Sequence, residues 1–449
     1  MLIILIYIME GGKILFITKL LLENFRCFDK KEIEFNSRFS VIAGENGSGK
    51  TAILEGLCIA LGGWLYGFDG IEISDKRNIY EEDKRVILAK VNSAALTQIP
   101  VVVECTAKIY EQEIVWDRKI TSRNGRTTHG GLSEIKKIAN IINQKIYSAE
   151  DEEIILPVVA YYSSARLWNE PIQKQKSYKK ENVRIEAYKK SISFSNSIKN
   201  TMTYINTIAY AAEQDEMYMA EFNAIMNAIE KSIHSVLQDS KVSYNKKIAE
   251  IVITDKDNKS ILYSKLSDGY RCIISLIADI CIRMVTLNPQ LKENAIKETT
   301  GVVLIDEIDL HLHPKWQKCV INDLKEIFPK VQFIVTTHSP FIIQSLDNGE
   351  LISLNEDIET DYSGESIEDI SENIMGIDIP QYSHYKEEMY KAAKDYFEAL
   401  DKATTKNEIE DLKIRLDLLS TRFGENVAYY AFIEQKYYAK EFSLEVSGN

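Results

Sequence analysis

Gly44-Glu45-Asn46-Gly47-Ser48-Gly49-Lys50-Thr51 is the stretch on which the fold turns, because it fits G-x-x-x-x-G-K-[ST]. An apolar run, Phe39–Ala43, precedes it, and Thr51–Leu61 follows with Ile53, Leu54, Leu57, Cys58 and Leu61 on one helical stripe. The loop therefore joins a strand to a helix. Its glycines let successive backbone N–H groups curl round phosphate oxygens, Lys50 neutralises the β and γ groups, and Thr51 offers a hydroxyl to Mg2+. The helix starting near Lys50 points its N-terminal dipole at the same anion. ATP with Mg2+ is the expected ligand, held by Glu45, Asn46, Gly47, Ser48, Gly49, Lys50, Thr51 and Ala52.

Val302-Val303-Leu304-Ile305-Asp306-Glu307 supplies the second half of such a site. Four apolar residues bury a strand, and two carboxylates emerge at its end, where α/β folds place their ligands. Asp306 is expected to hold magnesium through water, and Glu307 to orient or deprotonate the attacking water. A lone apolar strand ending in acids is usually structural; paired with a phosphate loop it reads as chemistry. Leu266-Ser267-Asp268-Gly269-Tyr270-Arg271 opens a helix, and the plain reading of Ser267 is a helix cap. Phe333–Pro340 runs out of a buried strand into His338. His311 and His313 have a spacing that metals accept, but no third ligand is apparent.

At 449 residues and 45% apolar content the chain can bury one large α/β domain and a smaller appendage. Its six cysteines form no C-x-x-C pair, so they read as reduced, mostly buried thiols of a cytoplasmic protein. Met1–Ile8 is too short to span a bilayer and lacks the flanks of a signal peptide, so residues 1–12 read as an N-terminal extension, and no membrane partner is expected. A net charge of −13 argues against a surface uniformly coated by nucleic acid. The charge is uneven, however. Arg166–Asn200 holds nine basic residues against three acidic, and Glu350–Ile379 holds ten acidic and no basic one. Two solvated surfaces are the plain explanation.

Strand-like runs at Ile14–Asn24, Lys31–Phe35, Phe39–Ala43, Val101–Tyr110, Glu113–Lys119 and Val158–Tyr162 are followed by a hairpin, Ile248–Thr254 with Ser260–Tyr263, and by buried strands at Gly301–Ile305 and Gln332–Thr336. Helices are expected over Arg184–Gln238, with no sustained heptad, and over Trp316–Ile327. This order predicts a parallel sheet wrapped by helices, with an antiparallel N-terminal part. The expected domain runs over 13–346, with a helical insertion at about 166–240. An acidic linker and helical tail fill 347–449, where Ile409, Leu412, Leu416 and Leu419 form a narrow seam.

The segment 266–271 resembles the L-S-G-G-Q signature of ABC and SMC-type ATPases, a short distance before the Walker B strand. The resemblance implies an ABC-type P-loop ATPase head in which Ser267, Asp268, Gly269 and their helix N-terminus face the γ-phosphate bound by a second protomer. Hydrolysis then needs a head-to-tail dimer. Thr336-Thr337-His338-Ser339-Pro340 is similar to the family's switch histidine, which makes Glu307 and His338 the implied catalytic pair. Asp306–Pro314 resembles the D-loop of SMC-like and overcoming-lysogenization-defect nuclease-like ATPases. Leu22–Phe28 is similar to the group's N-F-R-x-F segment, which implies that Arg26 lies near the nucleotide. Two departures stand out: Asp268 and Tyr270 replace Gly and Gln, and Tyr162–Arg166 lies where a Q-loop glutamine belongs.

Only 217 positions separate Lys50 from Ser267, too few for the long coiled coil of an SMC protein. The tail has no D-x-D pair for a two-metal nuclease. A compact ATPase with a small helical tail resembles the stand-alone ATPases of Septu-type and retron-associated anti-phage systems. That resemblance implies a separate HNH nuclease as partner, docked on the acidic stretch and tail, with nucleic acid near Arg166–Asn200. An SMC-like DNA-maintenance ATPase and a non-hydrolysing, ATP-clamped scaffold are the alternatives.

Overall fold

Apolar runs without alternation form the centre of the molecule. In this computed structural model the described residues are 15–88, 95–110, 112–147, 154–167, 183–193, 201–355 and 365–376, with 384–402 and short stretches up to 442 beyond them. The strands are β1 (Leu15–Phe25), β2 (Phe28–Glu34), β3 (Phe39–Ala43), β4 (Val86–Leu88), β5 (Ala95–Thr97), β6 (Val101–Ile109), β7 (Gln112–Ile120), β8 (Val158–Tyr162), β9 (Lys241–Asn245), β10 (Glu250–Thr254), β11 (Ser260–Leu262), β12 (Gly301–Ile305), β13 (Val331–Thr336) and β14 (Leu351–Ser353). The principal helices are α1 (Lys50–Leu65), α2 (Ser133–Ile146), α3 (Thr201–Ala211), α4 (Glu216–His234), α5 (Asp268–Leu287), α6 (Val320–Ile327), α7 (Ile367–Asn373) and α8 (His384–Lys402).

β3, β8, β12 and β13 are buried at every residue, as parallel strands covered on both faces must be. With β14 they form one sheet in the order β14-β3-β13-β12-β8, every pair parallel. Parallel alignment puts all five carboxyl ends on one edge. The phosphate loop, the Asp306-Glu307 pair and the segment containing His338 therefore leave the sheet side by side.

The N-terminal strands form an antiparallel sheet, β2-β1-β6-β7. In β1 the buried residues are Leu15, Ile17, Leu20, Leu22 and Phe25, and their parity changes where the pairing with β6 slips between Ile17 and Lys19. A bulge there re-aims the second half of the strand. Phe25 pairs with Phe28 across a two-residue turn, with Arg26 in the left-handed region at φ 51°. Helix α1 touches β1, β6 and β7 of this sheet and β13 of the parallel one. Fifteen of its sixteen residues are buried, so the single apolar stripe expected of it is instead burial all round.

The insertion is helical as expected over α3 and α4, and α4 packs along α5. Asp215 caps α4 by accepting from the Met217 N–H at 2.8 Å. The hairpin expected at 248–263 is β10-β11, and β9 adds a third strand that the sequence reading did not separate. The single helix expected over Trp316–Ile327 is broken: a turn at Pro314–Gln317 ends at Lys318 and α6 starts at Val320, with Cys319 between them at φ −120°. Helical dihedrals cannot continue through that residue.

The chain divides into units 1–376 and 377–449. The first runs past residue 346 because β14 extends the parallel sheet and α7 places Ile370 and Ile374 against Ala43 and Ile343. In the second, Tyr396, Leu400, Leu412 and Tyr437 are buried; the other three seam residues lie outside the described residues. Residues 1–14, 168–182, 194–200 and 356–364 also lie outside them, and with them the N-terminal extension and most of the basic segment. Among the described residues no helix is long and apolar enough to cross a membrane.

Candidate nucleotide site

Gly44, Gly47 and Gly49 have φ of 154°, 81° and 98°, and Gly49 caps α1 from the left-handed region. That backbone path curls the loop around its own interior. The Lys50 ammonium lies inside the curl, donating to the carbonyls of Gly44 at 2.8 Å and Glu45 at 2.7 Å. Burial pushes its pKa below the usual lysine value, while Asp306, Glu307 and Asp309 pull the other way. Glu45, Asn46 and Gly47 are exposed at the loop tip, and Ala52 is buried beneath it. The Ser48 hydroxyl is buried and has no hydrogen-bond partner among the described residues. A buried hydroxyl at the mouth of a phosphate loop suits a phosphate oxygen.

Asp306 is the hub of the site. Thr51 Oγ1 approaches its two carboxylate oxygens at 3.2 and 3.1 Å, and Thr336 Oγ1 donates to Oδ1 at 2.7 Å. Its own N–H is fixed by the Tyr162 carbonyl at 2.8 Å. Thr336 also accepts from the Glu307 N–H at 2.7 Å, so one hydroxyl orients both acids. Glu307 itself is held at φ 49°, an uncommon conformation for a non-glycine residue. Asp309 completes the edge: its Oδ1 accepts from Thr337 Oγ1 at 2.6 Å and from the His338 N–H at 3.1 Å. The D-loop carboxylate thus ties the His338 segment to the strand bearing Glu307, with His338 itself exposed.

Ser267 occupies the N-cap of α5, but its side chain makes no capping bond, contrary to the plain reading. Asp268 pairs instead with Arg271. Gly269 lies against the carbonyl of His311, and Tyr270 meets the Trp316 ring at a centroid distance of 4.3 Å. The signature-like segment is therefore built onto the D-loop of its own chain. Arg26 is engaged with Asp83 at 3.0 Å and with Glu55 of α1. His313 Nδ1 accepts from the Lys315 N–H at 3.3 Å, and no cluster of three metal-ligating side chains occurs among the described residues.

Lys50, Thr51, Asp306 and Glu307 thus converge, and Asp309 brings the His338 backbone to them. Thr336 and Asp309 carry much of this geometry, yet neither was singled out from sequence. A polar residue closing the apolar run Phe333–Val335 was the available signal for Thr336.

Two family models match the chain: "AAA domain" over residues 19–241, and "AAA domain, putative AbiEii toxin, Type IV TA system" over residues 140–344. The "Retron Vc95 probable ATPase" of Vibrio cholerae serotype O1 biovar El Tor is 25% identical over 416 residues, covering 78% of this chain and 76% of that protein. The "Septu protein PtuA" of Bacillus mycoides is 28% identical over 355 residues, 78% of this chain and 42% of its own. A short segment, 12% of this chain and 5% of the relative, is 53% identical to "Structural maintenance of chromosomes protein 6A" of Arabidopsis thaliana. With the phosphate loop and the Asp306-Glu307 pair on one sheet edge, the chain is a P-loop, AAA-type ATPase, similar over most of its length to the retron and Septu ATPases.

Proposed function

We propose that this chain is the ATP-hydrolysing subunit of an anti-phage defence assembly, in which two copies close head to tail around ATP and Mg2+ and control a separate HNH-type nuclease. The convergence of Thr51 and Thr336 on Asp306, with the Glu307 N–H held by the same Thr336 hydroxyl, carries the hydrolytic part of this reading. Lys50 and the loop amides hold the β and γ phosphates, and Ser48 adds its buried hydroxyl. Thr51 and Asp306 are the residues that would hold magnesium, which supplies charge neutralisation at the phosphate oxygens. Two protein oxygens suit a metal that keeps most of its shell for phosphate and water. Glu307, fixed by Thr336, accepts a proton from the water that attacks the γ-phosphorus as ADP leaves, and His338 faces the same phosphate. Ser267, with its side chain uncommitted to capping, completes the site of the second copy.

The defence role rests on the retron and Septu relatives, and the acidic stretch and tail are the proposed nuclease dock. The basic segment 166–200 is the proposed nucleic-acid surface. Six free cysteines suit a reducing cytoplasm. The test is Glu307→Gln in the full chain with ATP and Mg2+. Retained ATP and a stable dimer by light scattering support the reading; a monomer that releases ADP at the wild-type rate removes it.

A further inference from the structure

The phosphate loop has a second neighbour that no catalytic motif supplies. β14 runs beside β3 and ends at Ser353, so the residues that follow lie beside the residues that follow Ala43. The Leu354 N–H donates to the Ala43 carbonyl at 2.9 Å. A Cβ built on Gly44 would lie 3.2 Å from Leu354 Cβ and 3.5 Å from Asn355 Oδ1, which puts Asn355 against the first residue of the loop. Asn355 also reaches the other way, its Nδ2 donating to the Ile374 carbonyl at 2.8 Å. It is a two-sided bracket between the phosphate loop and the end of α7.

Helix α7 is seated at the same place. Ser366 caps it, accepting from the Asp369 N–H at 3.1 Å. Its Ile370, with Ile374, packs on Ala43 and on Ile343, the last residue of the helical turn that follows Ser339. Gln344 Nε2 donates to the Glu365 carbonyl at 3.1 Å, a second link from the His338 side. The segment ends at Gly376, with φ 66°, where a Cβ would fall 2.3 Å from Glu45 Oε1. A left-handed glycine thus receives the side chain of the second loop residue. The segment 365–376 consequently touches both halves of the site edge, and residue 376 is also the last of its compact unit.

We propose that Asn355, α7 and Gly376 form a positioning brace for the phosphate loop, through which ATP occupancy is communicated to α7. The proposal rests on the ATP-binding reading of residues 44–51. Asn355 lies against Gly44 and hydrogen-bonds the end of α7, Gly376 lies against Glu45, and α7 shares a small apolar cluster with Ala43 at the start of the loop, so loop conformation and the seating of α7 bear on each other. Neither Asn355 nor α7 is assigned a chemical step.

Amide hydrogen exchange of the full chain, with and without ATP and Mg2+, tests the brace; ATP affinity is measured in parallel with a fluorescent ATP analogue. Exchange in 365–376 is expected to change when ATP binds. Lys50→Ala should lose both binding and the change. Asn355→Ala should still bind ATP, with affinity weakened about 2- to 30-fold, but lose the exchange response in 365–376; Asn355→Gln, which keeps both polar atoms, should recover part of it. If wild-type chain binds ATP while exchange in 365–376 stays the same, the brace is refuted and the ATP site stands. If wild-type chain binds no ATP, the nucleotide reading itself fails.

Discussion

The α-carbon of Gly269 packs on the carbonyl of His311, so closely that a Cβ at 269 would lie 2.5 Å from that oxygen. The segment proposed to face a second copy's γ-phosphate is thereby fixed to the loop that leads away from Glu307 of its own chain. His311 is itself at φ 63°, so its carbonyl is not readily turned aside.

Gly269→Ala should therefore displace the start of α5 from the D-loop. Overpacking of this kind costs about 1–3 kcal/mol. Because the phosphate loop lies elsewhere in the chain, ATP binding to the monomer should persist while ATP-driven dimerisation and hydrolysis fall by about tenfold or more. Wild-type hydrolysis at saturating protein concentration would show that the close approach has no bearing on the assembled site.

Thr336→Val removes the hydroxyl that donates to Asp306 and accepts from the Glu307 N–H. The shape is kept and two polar groups lose a partner, each loss costing about 1–3 kcal/mol when buried. The expected signature is a fall in kcat with a smaller change in ATP affinity, since Lys50 and the loop amides are untouched. Thr336→Ser should restore most of the rate. A Val variant with normal kcat would remove Thr336 from the positioning of Glu307.

Much of the candidate site's edge was legible from local sequence because each motif carries its own context: apolar strand, then glycine, acid or histidine. The parallel sheet followed from the same runs, since strands buried on both faces do not alternate. What stayed hidden depends on contacts between distant segments. Thr336 lies thirty residues from Asp306, and Asn355 becomes a neighbour of Gly44 only because β14 joins β3. β14 itself is three half-buried residues, too short for periodicity to mark. For Arg26, motif resemblance pointed at the nucleotide, whereas the fold surrounds it with carboxylates on α1 and on the 78–84 loop.

Glu221 supplies a pH dependence. It is 5% exposed on α4, and burial lifts its carboxyl from 4.5 to about 7, only partly offset by the Tyr204 hydroxyl. Between those values the folded chain keeps a proton that the unfolded chain releases, so stability falls as pH rises through this window. Glu221→Gln should leave stability nearly unchanged below pH 4.5 and raise it by on the order of 1–3 kcal/mol at pH 8. Denaturant unfolding at the two pH values checks this. Equal effects at both would mean that the group does not titrate in the window.

Arg26 poses the sharpest choice between structure and chemistry. Its Nε and Nη2 lie 3.1 and 3.0 Å from Asp83 Oδ1, and Nη2 also pairs with Glu55. Arg77 shares both acids, at 3.0 Å from Asp83 and 3.9 Å from Glu55. Asp83 is fully buried, whereas the Arg26 side chain is 26% exposed, so the pair counts for less than a wholly buried one. Removing Arg26 leaves two carboxylates to one arginine, and breaking a buried pair costs about 3–5 kcal/mol; partial exposure reduces the expected loss for Arg26→Ala to about 1–3 kcal/mol. Since Glu55 is on α1, five residues beyond Lys50, weaker ATP binding should accompany that loss. Arg26→Lys keeps the charge but not the fork, and should recover only part of it. Thermal unfolding without nucleotide separates the two roles: a lowered Tm in the absence of ATP marks Arg26 as a support of α1, while an unchanged Tm with weakened ATP affinity assigns it to the nucleotide alone.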